Sequence, residues 1–102
     1  MATVNLSWNN PADLSDISGI KIYRRTGDHT SALISTKNER DAFATAAGST
    51  LVATVNKDGG GTLAESAQDS SADVSQTYTY AAFSYNGGGL GPGDLTDAVV
   101  TT

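Results

Sequence analysis

The sequence has 102 residues, of which 38% are hydrophobic and 17% are charged, and it contains no cysteine. This length predicts one domain, 1–102, and excludes most enzyme folds, while the lack of cysteine excludes disulfide bonds, cysteine-based zinc sites and thiol nucleophiles. The net charge is −5, and residues 50–102 carry six acids against Lys57 alone, so nucleic acid is not an expected partner. No apolar run reaches the length of a membrane span and no secretory signal pattern is present, so no membrane partner is expected.

Two strands are predicted in the first part of the chain. Polar and apolar residues alternate over residues 3–8, which is typical of a half-buried strand with Val4, Leu6 and Trp8 in the core. Residues 9–19 predict a loop, because they combine Pro11 with Asn, Asp, Ser and Gly. A second strand follows over 20–25, with Ile20 and Ile22 facing inward.

Residues 26–49 form a segment whose structure the pattern leaves open. Thr36 and Glu39 have the spacing of a capping box, in which each side chain bonds the other residue's backbone amide at a helix start. Residues 40–47 then favour a short helix that ends at Gly48. A helix of about two to three turns is marginal by itself and would need Phe43 as an anchor, so a long loop is the alternative.

The rest of the chain predicts short strands separated by glycine-rich turns. Strand patterns cover residues 50–55, 62–68, 77–85 and a last segment within 95–102, and the aromatic and β-branched run at 77–85 is the strongest. Glycines predict a turn at 58–61 and a flexible hairpin loop at 87–93. Regularly spaced short strands predict an all-β fold, a two-sheet antiparallel β-sandwich.

The order of several motifs resembles a fibronectin type III domain of the kind found in bacteria and their viruses. These motifs are the runs Val4 to Pro11 and Gly19 to Arg24, Asp69 ahead of Thr77 to Tyr80, Asn86-Gly87, and Leu90 to Pro92. The resemblance implies that the first strand is strand B, the second is strand C and 77–85 is strand F. It also implies that the Tyr78 hydroxyl bonds back to the chain before strand F, and that the core contains Trp8, Ile20, Ile22, Tyr78 and Tyr80.

The sequence departs from the family pattern at two places. Residues 26–49 replace a short connection after strand C, and strand B begins without a preceding strand A. The edge of strand B is then either open or covered by something else. An open edge exposes unpaired amides and carbonyls, which another chain can bind.

The outer face of strands C and F is the predicted binding surface. If Tyr78 and Tyr80 point inward, the alternate side chains point outward beside those of strand C, and Tyr and Arg are enriched in interface hot spots. The predicted partner-binding residues are Lys21, Tyr23, Arg25, Phe83 and Tyr85. The alternative is that the 26–49 segment covers this face and buries Phe83 and Tyr85 within the same chain.

No motif predicts catalysis, a metal or a cofactor. His29 lies in a polar loop, where it is expected to be solvated, and its neighbour Asp28 does not make it part of a triad. Asp13 and Asp16 lack the spacing of a calcium-binding loop, and the glycines of 87–93 lack the lysine of a phosphate-binding loop. We therefore expect no enzyme activity, no metal site and no cofactor.

The leading hypothesis is a non-enzymatic structural protein, an accessory component of a bacteriophage virion on the capsid or tail. Its partners would be other chains of the assembly, copies of itself included, and it would be made in the host cytoplasm. This hypothesis depends on the similarity of isolated fibronectin type III domains to those on virions, which is a family-level analogy. The alternative is a spacer, or a carbohydrate- or protein-binding module, of a secreted or cell-surface bacterial enzyme or adhesin, with Tyr23, Phe83 and Tyr85 as stacking surfaces.

Overall fold

The chain contains seven strands and one helix, and the computed structural model describes all 102 residues. The strands are β1 (Ala2–Ser7), β2 (Gly19–Thr26), β3 (Ser49–Asn56), β4 (Ser66–Ala72), β5 (Thr77–Asn86), β6 (Gly89–Leu95) and β7 (Val99–Val100). Helix α1 (Lys37–Thr45) lies between β2 and β3. The chain is therefore mostly β, as the sequence predicts.

The strands form two antiparallel sheets of unequal width. β1 pairs with β4 alone, whereas the larger sheet has the order β3-β2-β5-β6. β2 pairs with β5 from Gly19 opposite Tyr85 to Thr26 opposite Tyr78. The other side of β5 is shared by β6, which pairs with its second half, and β7, which pairs with Thr77 and Tyr78. We call the pair of β1 and β4 the small sheet, and the sheet of β3, β2, β5, β6 and β7 the large sheet.

The main core lies between the two sheets. Val4 and Leu6 of β1 pack with side chains of β2 and β5 in one buried cluster, which also contains Ile20, Ile22, Tyr78, Tyr80, Leu63 and Ala72. Most of these residues occupy every second position of their strand, on the side that faces the other sheet. Their burial therefore removes the apolar side of each strand from water.

Trp8 does not lie inside this core as expected. It follows the last residue of β1 and is only half-buried against the margin of the cluster. Its indole N–H donates a hydrogen bond to Oδ1 of Asn10 at 2.8 Å. The indole therefore closes one end of the core, and its polar edge is satisfied locally.

Helix α1 covers the outer face of the large sheet. Thr36 caps its start: its hydroxyl accepts from the Glu39 amide at 3.1 Å, and the Glu39 carboxylate accepts from the Thr36 amide at 2.9 Å. Phe43 is the buried residue of the helix and meets the Phe83 ring edge-to-face, with 6.0 Å between the centroids. These rings and Ala81 form a second buried cluster, so the helix replaces the loop alternative and occupies the predicted outer surface.

Two strand boundaries differ from the sequence prediction. The predicted strand 62–68 begins only at Ser66 and continues to Ala72, because Thr62 closes a turn in which the Asp58 carboxylate accepts from its amide at 3.0 Å. The predicted final strand is reduced to Val99–Val100. Next to it, the buried Thr101 hydroxyl donates a hydrogen bond to the Asp73 carbonyl at 2.6 Å, which holds residues 99–101 against the segment that follows β4.

The glycine-rich segment 87–93 is not the flexible loop that its composition predicts. Only a tight turn separates β5 from β6, and β6 runs from Gly89 to Leu95. A Cβ on Gly93 would collide with the carbonyl oxygen of Ala82, and one on Gly91 would lie 2.6 Å from Oγ of Ser84. The glycines therefore permit close strand approach, and Pro92 is tolerated at a bulge on an edge strand.

Candidate docking surface

The predicted partner-binding face is largely enclosed within the chain. Phe83 is 0% exposed and packs against Phe43 and against Tyr23, whose ring centroid lies 6.2 Å away. The expectation that Phe83 is available to a partner is therefore wrong, because the 26–49 segment buries it. The half-buried Tyr23 hydroxyl has its pKa raised, first by burial and then by the charge of Asp41.

The other residues predicted for this face are half-buried and separated. Lys21 Nζ lies 4.7 Å above the Tyr85 ring, and the Tyr85 hydroxyl bonds the Asn56 side chain. At the opposite end of β2, the Arg25 guanidinium lies 5.5 Å from the centre of the Phe43 ring, with its Nε buried without a hydrogen-bond partner. The five residues therefore do not form one exposed surface.

The free edge of β1 is a different surface. The Trp8 amide donates to the Glu65 carbonyl at 3.0 Å. Because residues of an antiparallel pair face the partner strand alternately, positions 4, 6 and 8 direct their backbone groups towards β4. Thr3, Asn5 and Ser7 direct theirs away, and no second strand pairs with β1. Each of these three residues therefore presents one donor and one acceptor.

β1 also lacks the features that block strand addition at the other edges. The pairing registers place extra residues in β3 at Val52, in β4 at 70–71 and in β6 at 91–92. Such bulges twist an edge away from incoming strands, and charges or proline have a similar effect. β1 has no bulge of its own and contains no charged residue, proline or glycine. β1 is therefore a regular strand edge, to which another strand can be added.

Two separate cavities lie near this edge, one at each end of β1, and we call them together the edge groove. β4 contacts β3, so the small sheet lies towards the β3 side and leaves β6 and β7 without a strand above them. One cavity of about 430 Å³ lies between residues 2–5 and residues 99–102. A second cavity of about 200 Å³ lies between residues 8–11 and residues 92–94 of β6, next to Ile20 and Ala82. The first lies beside the first half of β1, and the second lies just past the end of β1.

The edge groove is lined by both polar and apolar residues, and it carries one acidic side chain. Its apolar residues include Val99 and the 67% exposed Val100 at one end and Trp8 at the other. Asp94 is the one charged side chain that lines either cavity, and no lysine or arginine does. An extended segment that carries a positive charge near Asp94 would be electrostatically matched to this groove.

The strongest charge cluster in the molecule lies elsewhere and joins the two sheets. Asp69 of β4 accepts from Arg24 of β2 at 2.9 Å, from the Tyr80 hydroxyl of β5 at 2.7 Å, and from the amide and hydroxyl of Ser71. Burial raises the pKa of the Asp69 carboxyl, but these hydrogen bonds outweigh it and hold the pKa below the ordinary value of 3.8. All of these groups are engaged with one another, so the cluster is structural.

The remaining candidate residues have local roles. His29 is half-buried rather than solvated: its amide donates to Thr79 Oγ1 at 2.8 Å and its Nε2 lies 2.9 Å from the Thr26 carbonyl. Asp13 accepts from the Ser15 amide at 2.9 Å. No group of three or more acidic, histidine or cysteine side chains is placed to hold a metal ion. The single helix lacks the length and apolar character needed to cross a membrane.

Comparisons with protein-family models, with curated proteins and with solved structures find no match to this chain.

Proposed function

We propose that this chain is a non-enzymatic structural domain with a fibronectin type III-like β-sandwich fold, and that it works as part of a larger protein assembly. The assembly that we propose is a bacteriophage particle, in which the chain is an accessory capsid or tail component. It would be made in the host cytoplasm, and its partners would be other protein chains of the particle.

The strand order supports the fold part of this proposal. In immunoglobulin-like sandwiches, strands B and E share one sheet while C, F and G share the other. The small sheet supplies β1 and β4 for the first pair, and β2, β5 and β6 take the places of C, F and G. The Tyr78 hydroxyl accepts from the Asp73 amide at 3.1 Å, which is the kind of contact that the resemblance implies for this tyrosine.

The open edge of β1 is the observation that carries the functional part. A regular, uncharged edge with unpaired amides and carbonyls binds extended chains readily, and soluble proteins normally protect such an edge. An open edge of this kind, beside a groove that is partly lined by apolar side chains, is explained if another chain covers it in the working state. We choose a phage particle because the motifs of this chain resemble fibronectin type III domains, and isolated domains of that family are similar to those on virions. This argument is an analogy at the level of the family.

The buried outer face weakens the carbohydrate-binding alternative. Sugar stacking needs aromatic rings presented flat to solvent, but Phe83 is enclosed and the rings of Tyr23 and Tyr85 are engaged with Phe83 and Lys21. Trp8 is bonded to Asn10 at the margin of the core. No cluster of free aromatic rings is left on the surface predicted for this role.

Mass spectrometry of purified particles tests the proposed function. Particles from the source of this sequence would be purified on a density gradient and washed in high salt, and the copy number of the chain would be measured against the major shell protein. We expect a fixed, stoichiometric copy number. Absence from the particles, or recovery of the sequence as part of a secreted enzyme, would contradict the proposal.

A further inference from the structure

We infer that the edge groove binds a single extended strand from a partner protein, a segment of alternating β-branched residues with a lysine or arginine near Asp94. This inference deepens the proposed function, because it depends on the chain working with another protein. It does not depend on that protein being a virion component.

The backbone of β1 defines how the segment is held. The outward amides and carbonyls of Thr3, Asn5 and Ser7 span the length of β1, and a strand of about five to seven residues would pair with all of them. This strand would widen the small sheet and lie above β7 and β6. Main-chain bonds would supply affinity, and the side chains facing the groove would supply specificity.

The lining of the groove defines the side chains that fit. Alternate residues of an added strand would face the cavity walls, where Val4, Val99 and Val100 are the β-branched aliphatic residues beside the first half of β1. β-Branched side chains suit such a pleated, half-buried position. At the other end, the carboxylate of Asp94 has no basic side chain beside it in the cavity lining, so a basic residue of the partner is favoured there.

A second copy of this chain fits the groove less well than a single strand. If two copies paired through β1, each would bring a large sheet whose β6 and β7 extend past β1, and these projecting strands would meet. Each copy also carries a net charge of −5, which opposes self-association. A single strand arrives without a second sheet beneath it and so avoids this collision.

Peptide binding tests the inference directly. The probe is the synthetic peptide acetyl-KTVTVTK-amide, whose terminal lysines allow either strand direction, and the matched control peptide has glutamate in place of both lysines. Calorimetric titration of the wild-type chain should show binding of the lysine peptide. The glutamate peptide should bind at least about fivefold more weakly, and Asp94→Asn should abolish most of this difference.

Two variants at one position separate backbone pairing from side-chain effects. Asn5→Pro removes an outward amide, which an edge strand tolerates because that amide is not used in the fold. Asn5→Ala keeps the amide but removes the side chain that accepts from Gln68. We expect Asn5→Ala to bind the peptide like the wild type, and Asn5→Pro to lose about tenfold in affinity, the effect of one lost hydrogen bond with its strand contacts. Both variants should keep the wild-type thermal midpoint within a few degrees.

Several results would overturn the inference. They are the absence of binding at about 1 mM peptide, equal affinity of the folded Asn5→Pro variant, and a dimer in sedimentation that Asn5→Pro abolishes. The last result would assign the edge to a second copy. If the chain is absent from particles while the peptide binds as expected, only the proposed function fails. If the chain is present in particles but the peptide does not bind, only the strand inference fails.

Discussion

Asp69 is the residue that joins the two sheets through polar contacts. It lies at an inward-facing position of β4, is 1% exposed, and bonds side chains of both β2 and β5. Burying a carboxylate is unfavourable unless its oxygens are fully bonded, and here Arg24, Tyr80 and Ser71 satisfy both oxygens. The charged carboxylate is therefore the form that the folded chain stabilises.

This state of Asp69 predicts a loss of stability in acid. The pKa of its carboxyl is lower in the folded chain than its ordinary value of 3.8, so the unfolded chain takes up this proton first as the pH falls. Its stabilising contribution is complete above about pH 5 and is lost as the pH falls through the folded-state pKa. Asp69→Asn should cost about 3 kcal/mol at neutral pH and flatten the acid dependence. Urea unfolding from about pH 2.5 to 7 measures both, and an unchanged acid slope in the variant would refute this role.

Trp8 contributes less to stability than its size indicates. Full burial of an aromatic residue makes its replacement by alanine cost about 3–5 kcal/mol, but the Trp8 indole is half-buried at the end of β1. We expect Trp8→Ala to lower the free energy of unfolding by about 2 kcal/mol. Ile22→Ala, at a position that is 1% exposed, should cost about as much or more despite the smaller side chain. Chemical unfolding of both variants decides the order, and a clearly larger loss for Trp8→Ala would place Trp8 in the core after all.

At the scale of elements, the main apolar anchor of helix α1 is Phe43, its one buried side chain. A helix of nine residues is marginal in isolation, and Phe43 supplies its buried contact with Phe83 and Ala81. Phe43→Ala should therefore release the helix and expose the outer face of the large sheet, while the cluster between the sheets persists. We expect less helical signal in circular dichroism and new binding of a hydrophobic dye. Ala42→Ser, at an exposed position of the same helix, is the control and should change neither signal.

The glycines of β6 predict a second effect at this scale. Gly93→Ala would force a methyl group against the backbone of Ala82, so β6 would have to separate from β5. Gly87 in the preceding turn has open space where a Cβ would lie and has no positive φ, so Gly87→Ala is the matched control. We expect Gly93→Ala to lower the thermal midpoint by several degrees, a loss of about 1–3 kcal/mol, and Gly87→Ala to leave it nearly unchanged. Equal midpoints would show that β6 does not need this close approach.

Local patterns predict some of these elements and fail for others for physical reasons. The capping box at Thr36 and Glu39 and the alternation in β1, β2 and β5 are local signals, and the structure contains the corresponding helix and strands. The composition of 87–93 predicts a loop because glycine and proline favour turns locally, whereas Gly93 is needed for contact with Ala82 in a neighbouring strand. This need for glycine comes from a contact between two strands, so the residues next to Gly93 in the sequence do not reveal it.

At the scale of the whole molecule, the unequal width of the two sheets creates the candidate site. β1 pairs with β4 alone, but the edge groove also needs the positions of β6 and β7 beneath the free edge of β1. Those positions follow from how the small sheet packs on the large one. In contrast, the sequence pattern leaves open whether the 26–49 segment covers the outer face, and so the outer face is the predicted binding surface. The contact between Phe43 and Phe83 shows that α1 covers it.

Amide hydrogen exchange of β1, followed by NMR, tests the central claim that its edge is open and binds a strand. In the free chain, the amides of Thr3, Asn5 and Ser7 should exchange rapidly, whereas those of Val4, Leu6 and Trp8 should be protected by β4. Saturation with the lysine peptide should slow exchange at Thr3, Asn5 and Ser7 by at least about tenfold. Protection of these three amides already in the free chain, or no change on binding, would contradict the account.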